Sequence, residues 1–169
     1  MKKRGFTMVE LLVVIAIIAV LAGIVYPLSR SLIGNSRAAA CLGNLRSLAV
    51  ALQSYLQDHN NRMPDLLLAR KSKTEEGAVL ETELLPYLQS AEAFHCPADH
   101  VEFERSGSSY LWNSTQSGRL VSELKFLADD RPDKIPLITD KDGSWHPGGT
   151  NMLYADMTET NKPRFATSD

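Results

Sequence analysis

The chain of 169 residues has no large excess of charge of either sign, few aromatic residues and only two cysteines. With 18 basic against 20 acidic residues, its net charge of -2 excludes a basic domain that coats nucleic acid and an acidic disordered tail. Aromatic residues make up 7% of the chain, and no basic stripe interleaved with aromatics favours binding to nucleic acid. The length allows one ordinary hydrophobic core.

The sequence also lacks a second apolar segment of spanning length, because its apolar residues concentrate near the N-terminus. Residues 11–28 contain no charge, and Met1–Gly5 hold three basic residues. A helix over residues 6–28 would be about 34 Å long, enough to cross a hydrocarbon core of about 30 Å. Since basic residues favour the cytoplasmic side, the N-terminus is expected there. We predict one single-pass anchor followed by one soluble head.

Three interpretations of this segment differ in where the chain is cut. A cleaved secretory signal requires small residues at a site after the apolar run, and residues 19–22 provide a poor one. A plain signal anchor is not cut. A prepilin-type leader is cut before the apolar helix, which stays in the mature protein.

The run KKRGFTMVELL over residues 2–12 favours the third interpretation, since basic residues, Gly, Phe, an acid and a pure apolar run follow one another. This run resembles the leader of type IV prepilins and type II secretion pseudopilins. The resemblance implies a leader peptide over residues 1–5, cleavage between Gly5 and Phe6 by a prepilin peptidase, and methylation of the new Phe6 amine. It also implies three kinds of partner: that peptidase and N-methyltransferase, other pilin or pseudopilin subunits in a homo- or heteropolymer, and an inner-membrane assembly platform.

Glu10 lies inside the segment that would span the membrane, where a central carboxylate costs about 2.5–3.5 kcal/mol. One explanation is that Glu10 lies at the headgroup level, where water solvates it. The other is that it pairs with the positive Phe6 amine that cleavage creates, in its own chain or in a neighbouring subunit. Because the acid comes with the complete leader motif, we expect the pairing and a role of Glu10 and Phe6 in assembly.

Beyond the anchor, over residues 29–60, the apolar pattern takes the period of an amphipathic helix. Pro27 removes one backbone donor and is expected to bend the helix without ending it, whereas the turn residues 58–61 should end it. Packing on the head explains the apolar stripe better than a coiled-coil dimer, because the run is short. The stripe consists of Cys41, Leu45, Leu48, Leu52 and Tyr55 or Leu56, and the residues facing away are Asn44, Arg46, Gln53 and Gln57.

Residues 61–169 form the predicted globular head, in which short apolar runs alternate with turn residues, as in small antiparallel sheets. Asp142 and Gly143 predict a hairpin turn. The predicted fold class is α+β, with a long N-terminal helix packed on a small antiparallel β-sheet. A short helix is predicted over residues 80–88, and strands over 109–112, 136–139, 151–155 and 164–166.

Residues 41–46, 94–99 and 146–156 resemble the pilin-like subgroup whose signature is His, nine residues, then Asp-Gly. The spacing from His146 to Asp156 agrees with that signature, but Met157 stands in place of the glycine. The resemblance indicates an architecture and no substrate.

The two cysteines, Cys41 and Cys96, would lie outside the cytoplasm, where disulfides persist, so we predict that they pair. Such a bond would tie the helix to the head and contribute about 4 kcal/mol in the loop-entropy model. The alternative is two buried reduced thiols.

No cofactor is expected. The segment over residues 95–100 contains zinc-ligand types but no second ligand pair on another segment, so we interpret it as an ordinary loop. Asp140, Asp142 and Asp156 are candidate calcium ligands, since the major pseudopilins are similar in carrying a calcium loop near their C-termini. Their spacing does not fit an EF-hand, and a plain turn at Asp142 and Gly143 is the favoured interpretation.

We predict a structural subunit, not an enzyme, of a type II secretion pseudopilus or a type IV pilus-like filament. It would lie in the inner membrane with a periplasmic head, and in the filament after assembly. A filament-surface protein that binds DNA, polysaccharide or a secreted substrate is the alternative. A membrane-tethered hydrolase is less well supported, because Ser144, His146 and Asp156 come without a nucleophile elbow or oxyanion loop.

Overall fold

A computed structural model of the chain describes residues 7–164. The predicted leader and Phe6 lie outside these described residues. Within them the helices are α1 (Met8–Asp58), α2 (Leu80–Leu84) and α3 (Glu102–Ser106), and the strands are β1 (Tyr110–Trp112), β2 (Pro136–Asp140), β3 (Met152–Tyr154) and β4 (Glu159–Thr160).

Helix α1 begins with a capping box formed by Thr7 and Glu10, and it continues as one helix to its last residue. It passes through Pro27 without ending, as predicted, and the bend at that position stays a prediction. Asn60 and Asn61 follow the helix with φ angles of 54° and 56°. Asparagine tolerates this left-handed region better than most residues, so the predicted turn after the helix is confirmed.

The four strands form one antiparallel sheet in the order β1-β2-β3-β4. Each strand pairs with the next one along the chain, so the sheet is a meander. The pairing of β2 with β3 is irregular between Pro136 and Ile138. The predicted α+β class, a long helix followed by a small antiparallel sheet, is confirmed.

The C-terminal half of α1 packs on this sheet through the predicted apolar stripe. Asn44, predicted to face away, is half-buried because its Nδ2 donates a hydrogen bond of 2.6 Å to the carbonyl oxygen of His95. One hydrophobic core therefore joins the long helix to the head. Its fully buried members include Cys41, Leu45, Leu48 and Leu52 from α1 and Trp112, Ile138 and Leu153 from the sheet.

The prediction of a tight hairpin turn at Asp142 and Gly143 is wrong. Strand β2 is followed by a loop over residues 141–151 before β3 begins. Within this loop the Oδ1 of Asp142 accepts a hydrogen bond of 2.8 Å from the backbone nitrogen of Ser144 and caps a 3₁₀ turn. The side chain of Asp142 thus directs the backbone into a local turn that does not lead directly to the next strand.

The end of the sheet also differs from the prediction. Arg164 lies outside any strand, because its guanidinium contacts Asp156 and Thr158, while residues 165 and 166 lie beyond the described range. The edge strand is β4 instead. The sequence did not predict β4, because two polar residues provide no apolar alternation.

Candidate functional site

The N-terminal half of α1 contacts no other part of the described chain over most of its length. All of its large apolar side chains from Met8 to Ile33 whose exposure the structure describes are exposed. The helix is long and apolar enough to cross a membrane, as judged by its length and composition. Since covering one Leu or Ile side chain stabilises by about 1.5–3 kcal/mol, this surface favours lipid or other apolar helices as its surroundings.

Glu10 takes part in the cap at the N-terminal end of this exposed helix. Its Oε2 accepts hydrogen bonds of 2.8 Å from both the backbone nitrogen and the hydroxyl of Thr7. In return the backbone nitrogen of Glu10 donates to the Thr7 hydroxyl at 3.3 Å. The carboxylate thereby lies at the positive end of the helix dipole, where negative charge is favoured.

Thr7 caps the helix together with Glu10, and it was not among the residues predicted for the site. The signal was present, because Thr followed three residues later by Glu before an apolar run is the pattern of a capping box. The candidate processing residues Gly5 and Phe6 lie outside the described residues. In the covalent chain, however, only one Cα and one carbonyl carbon separate the Phe6 nitrogen from the Thr7 nitrogen that Glu10 binds.

A second group of candidate functional residues lies where α1 meets the head, and it includes both cysteines. Cys41 of α1 and Cys96 of the loop before α3 are joined by a disulfide, with their Cα atoms 5.1 Å apart. The backbone nitrogen of Cys96 donates to the Ser109 hydroxyl at 2.9 Å, which fixes the loop next to β1. Oxidation of these cysteines in the exported protein stays a prediction for chemical analysis.

His146 and Asp140 lie beside this disulfide, and both side chains are buried. The Nε2 of His146 is 3.3 Å from the Sγ of Cys96 and 3.5 Å from the Oδ2 of Asp140. Burial raises the pKa of Asp140 to about 7, and a hydrogen bond from the Asn151 backbone partly opposes this. Burial also lowers the pKa of His146, which favours a neutral imidazole.

The three candidate calcium ligands have different partners. Asp140 is buried beside His146, and Asp142 caps the turn described above. Asp156 accepts hydrogen bonds from the backbone nitrogen and hydroxyl of Thr158 at 3.0 and 2.6 Å, and it pairs with Arg164 at 3.1 Å. Calcium binding stays a prediction.

Met157 occupies the position at which the subgroup signature has a glycine. Its φ angle is 63°, in the left-handed region that glycine adopts without a steric penalty. The turn at the end of this motif therefore keeps the backbone conformation that a glycine would favour. The partly buried Met157 side chain packs against the core.

The side chains of zinc-ligand type in residues 95–100 do not converge on one position. Asp99 accepts hydrogen bonds from three backbone nitrogens at the start of α3 and from the Ser109 hydroxyl. Burial raises the pKa of Asp99, but these four hydrogen bonds outweigh it and leave the pKa below its usual value. His95 stacks on Phe103 instead, with ring centroids 4.5 Å apart.

No hydrolytic triad forms from Ser144, His146 and Asp156 among the described residues. His146 contacts Cys96 and Asp140, whereas Asp156 binds Thr158 and Arg164. His146 and Asp140 are not grouped with the cysteines by any pattern in the sequence. No spacing rule points to this grouping, because the residues come from α1, the loop before α3, the end of β2 and the loop after it.

Two comparisons with known proteins agree with this architecture. A family model described as the prokaryotic N-terminal methylation motif matches residues 1–26. Type II secretion system core protein G of Pectobacterium carotovorum subsp. carotovorum is 33% identical over 153 residues, which cover 86% of this chain and 86% of that protein. No solved structure matches the chain.

Proposed function

Because the chain belongs to the type II secretion pseudopilin family, whose members are structural and not enzymes, we propose that it assembles into a pseudopilus through the exposed half of α1. The prepilin peptidase removes residues 1–5 and the Phe6 amine is methylated. The helix then anchors the subunit in the inner membrane, with the head on the periplasmic side, until an assembly platform transfers it to the filament.

The observation that carries this proposal is the division of α1 into two halves. The head covers only the C-terminal half, whereas the N-terminal half exposes apolar side chains such as Leu11, Ile17 and Leu21. Lipid solvates this surface in the membrane, and the same surface packs against other subunits in the filament. A subunit can therefore leave the bilayer without exposing its apolar helix to water.

Glu10 directs this assembly through its charge. In the processed chain the Phe6 ammonium is bonded close to the Thr7 nitrogen, which Glu10 already binds at 2.8 Å. Pairing of the carboxylate with an ammonium, from its own chain or from a neighbouring subunit, offsets the cost of a charge in an apolar environment. The capping box holds the carboxylate at the helix end where that ammonium is created.

Two variants separate the charge of Glu10 from its capping role. Glu10→Gln removes the charge, while Gln still serves as the partner of Thr7 in a capping box. Thr7→Ala keeps the charge and removes the hydroxyl of the box. We expect Glu10→Gln to insert and to be processed normally but to be absent from sheared filaments, whereas Thr7→Ala is incorporated.

The measurement is the amount of each processed variant in purified filaments, compared with the amount in membranes. Intact mass spectrometry of the membrane fraction serves as the control for processing. Incorporation of Glu10→Gln at the wild-type level would contradict the role of the charge. Incorporation of a chain with three charged substitutions in the exposed helix, at Leu11, Ile17 and Leu21, would contradict assembly through this surface.

A further inference from the structure

Four metal-binding side chains meet where α1 packs on the head: Cys41, Cys96, Asp140 and His146. One ligand atom from each lies within 4.8 Å of the others, and all four residues are buried. They come from four separate parts of the chain, and only the tertiary fold brings them together. This arrangement is distinct from the segment over residues 95–100, of which only Cys96 takes part.

The distances around His146 agree with tetrahedral coordination of one ion. Its Nε2 lies 3.3 Å from the Sγ of Cys96, and two ligands at usual zinc–sulfur and zinc–nitrogen distances would be about 3.5 Å apart. The same Nε2 lies 3.5 Å from the Oδ2 of Asp140, where zinc–nitrogen and zinc–oxygen ligands would be about 3.3 Å apart. The two sulfurs are bonded to each other in the structure, so after reduction they must separate to about 3.8 Å before both can bind the same ion.

Two buried polar atoms in this cluster have no hydrogen-bond partner among the described residues. They are the Oδ1 of Asp140 and the Nδ1 of His146. A buried polar atom without a partner costs about 1–3 kcal/mol, so a native structure usually provides one. The Oδ2 of Asp140 faces His146, so an ion that both oxygens of this carboxylate bind would also give Oδ1 a partner.

We propose that the dithiol form of the protein binds one zinc ion through Cys41, Cys96, His146 and Asp140. Zinc binds Cys sulfur, imidazole nitrogen and carboxylate oxygen, and its structural sites are four-coordinate. Binding replaces the two S–H protons, which pass to the solvent, and forms two zinc–thiolate bonds without electron transfer. The chain is synthesised with free thiols, so the reduced chain that would bind zinc precedes the disulfide, and the two states exclude each other.

The zinc site goes beyond the proposed assembly function and has a consequence for the head. In both states the cluster ties α1 to the loop before α3 at the same place. Zinc therefore provides the connection in the reduced chain that the disulfide provides in the oxidised chain. The reduced protein should gain thermal stability from zinc, since a ligand that binds only the folded state stabilises it.

The test uses the full chain in detergent micelles without oxygen. A phosphine reduces the disulfide, since phosphorus takes up the oxygen of water and leaves two thiols. Zinc alone is titrated against a coloured chelator, and cobalt alone reports tetrahedral thiolate coordination by its absorption. We expect one equivalent of zinc to bind the reduced chain and to raise its Tm. We expect no zinc to bind the oxidised chain.

Variants show which residues hold the ion. His146→Gln should weaken binding at least about tenfold, whereas His95→Gln, which changes the imidazole beside Cys96 in sequence, should leave binding unchanged. If His146→Gln fails to fold, zinc binding by the reduced and the oxidised wild-type protein still tests the proposal, because that comparison needs no substitution.

Three results would overturn the proposal. The first is the absence of binding to the reduced chain. The second is equal binding by the reduced and oxidised chains or by the folded His146→Gln variant, which would indicate an adventitious ion only. The third is a rise in Tm with calcium alone and none with zinc, which would favour the oxygen ligands of the calcium prediction.

Discussion

Leu21 and Leu52 lie on the same continuous helix, yet Leu52 is fully buried and Leu21 is 55% exposed. The difference arises because the head packs only against the C-terminal half of α1. Leu52 therefore contributes to folding of the subunit, whereas Leu21 is available for lipid or for another subunit. This division is the basis of the proposed assembly.

Matched substitutions should separate these two roles. Leu52→Ala removes buried methyl groups from the core and should lower the free energy of unfolding by about 2–5 kcal/mol. Leu21→Ala should change it by less than about 0.5 kcal/mol, since its surroundings lie outside the fold. Thermal unfolding of the full chain in micelles, followed by circular dichroism, measures both. Equal losses of stability would contradict the division of α1.

The disulfide between Cys41 and Cys96 should be a major source of stability. It closes a loop with a sequence separation of 55, for which the loop-entropy model gives about 4 kcal/mol. Reduction in the presence of a metal chelator should lower the free energy of unfolding by about this amount, and a Cys41→Ser, Cys96→Ser variant should match the reduced chain. Non-reduced peptide mapping of exported protein identifies the disulfide directly. Two free thiols in that protein would refute the pairing.

The carboxylate of Asp99 should make the head sensitive to acid. Its hydrogen bonds from the α3 backbone and Ser109 hold its pKa below the usual value in the folded state. The stability from this group is therefore present above the unfolded pKa of about 3.9 and is lost as the pH falls through the lower folded value. At pH 7, Asp99→Asn should cost about 2 kcal/mol.

Denaturant unfolding of wild type and Asp99→Asn across the acid range tests this expectation. The difference between the two proteins should shrink as the pH falls below about 4. Asp65→Asn, at an exposed position, serves as the control and should remain close to wild type throughout. A constant difference between wild type and Asp99→Asn would show that the ionised form is not what stabilises the loop.

The left-handed backbone after α1 should favour glycine over alanine. Asn61 has a φ of 56°, its nitrogen donates to the Leu56 carbonyl at 2.8 Å, and its carbonyl accepts from Val121 at 2.9 Å. Asn61→Ala should lower the free energy of unfolding by about 1 kcal/mol, whereas Asn61→Gly should be close to neutral. Measured Tm values in which alanine equals or exceeds glycine would contradict the strain argument.

The sequence was sufficient to predict the long helix, its buried stripe and three of the four strands. Leu45, Leu48 and Leu52 recur at helical spacing, and the apolar run of β2 is bounded by turn residues, so local patterns determine these elements. The strand β4 was missed because Glu159 and Thr160 have no apolar alternation. Their pairing depends on β3 and on an ion pair of Glu159 with Arg46 of α1.

The buried cluster illustrates what local patterns cannot provide. Cys41 and Cys96 were grouped because they are the only cysteines, whereas His146 appeared in the sequence as part of a spaced signature with Asp156. In the structure the loop after β2 turns at Asp142 and brings His146 back to Cys96. The path of this loop depends on tertiary packing, and neither the hydrophobic period nor the residue spacing of the sequence encodes it.

The central claim, a pseudopilin that is matured at its N-terminus before it assembles, is tested most directly by the intact mass and N-terminal sequence of the chain from filament-forming cells. We predict that the filament protein begins at methylated Phe6 and that cells without prepilin peptidase retain Met1. A filament protein that still carries Met1, or one that begins at Gly23 after a secretory cleavage, would contradict it.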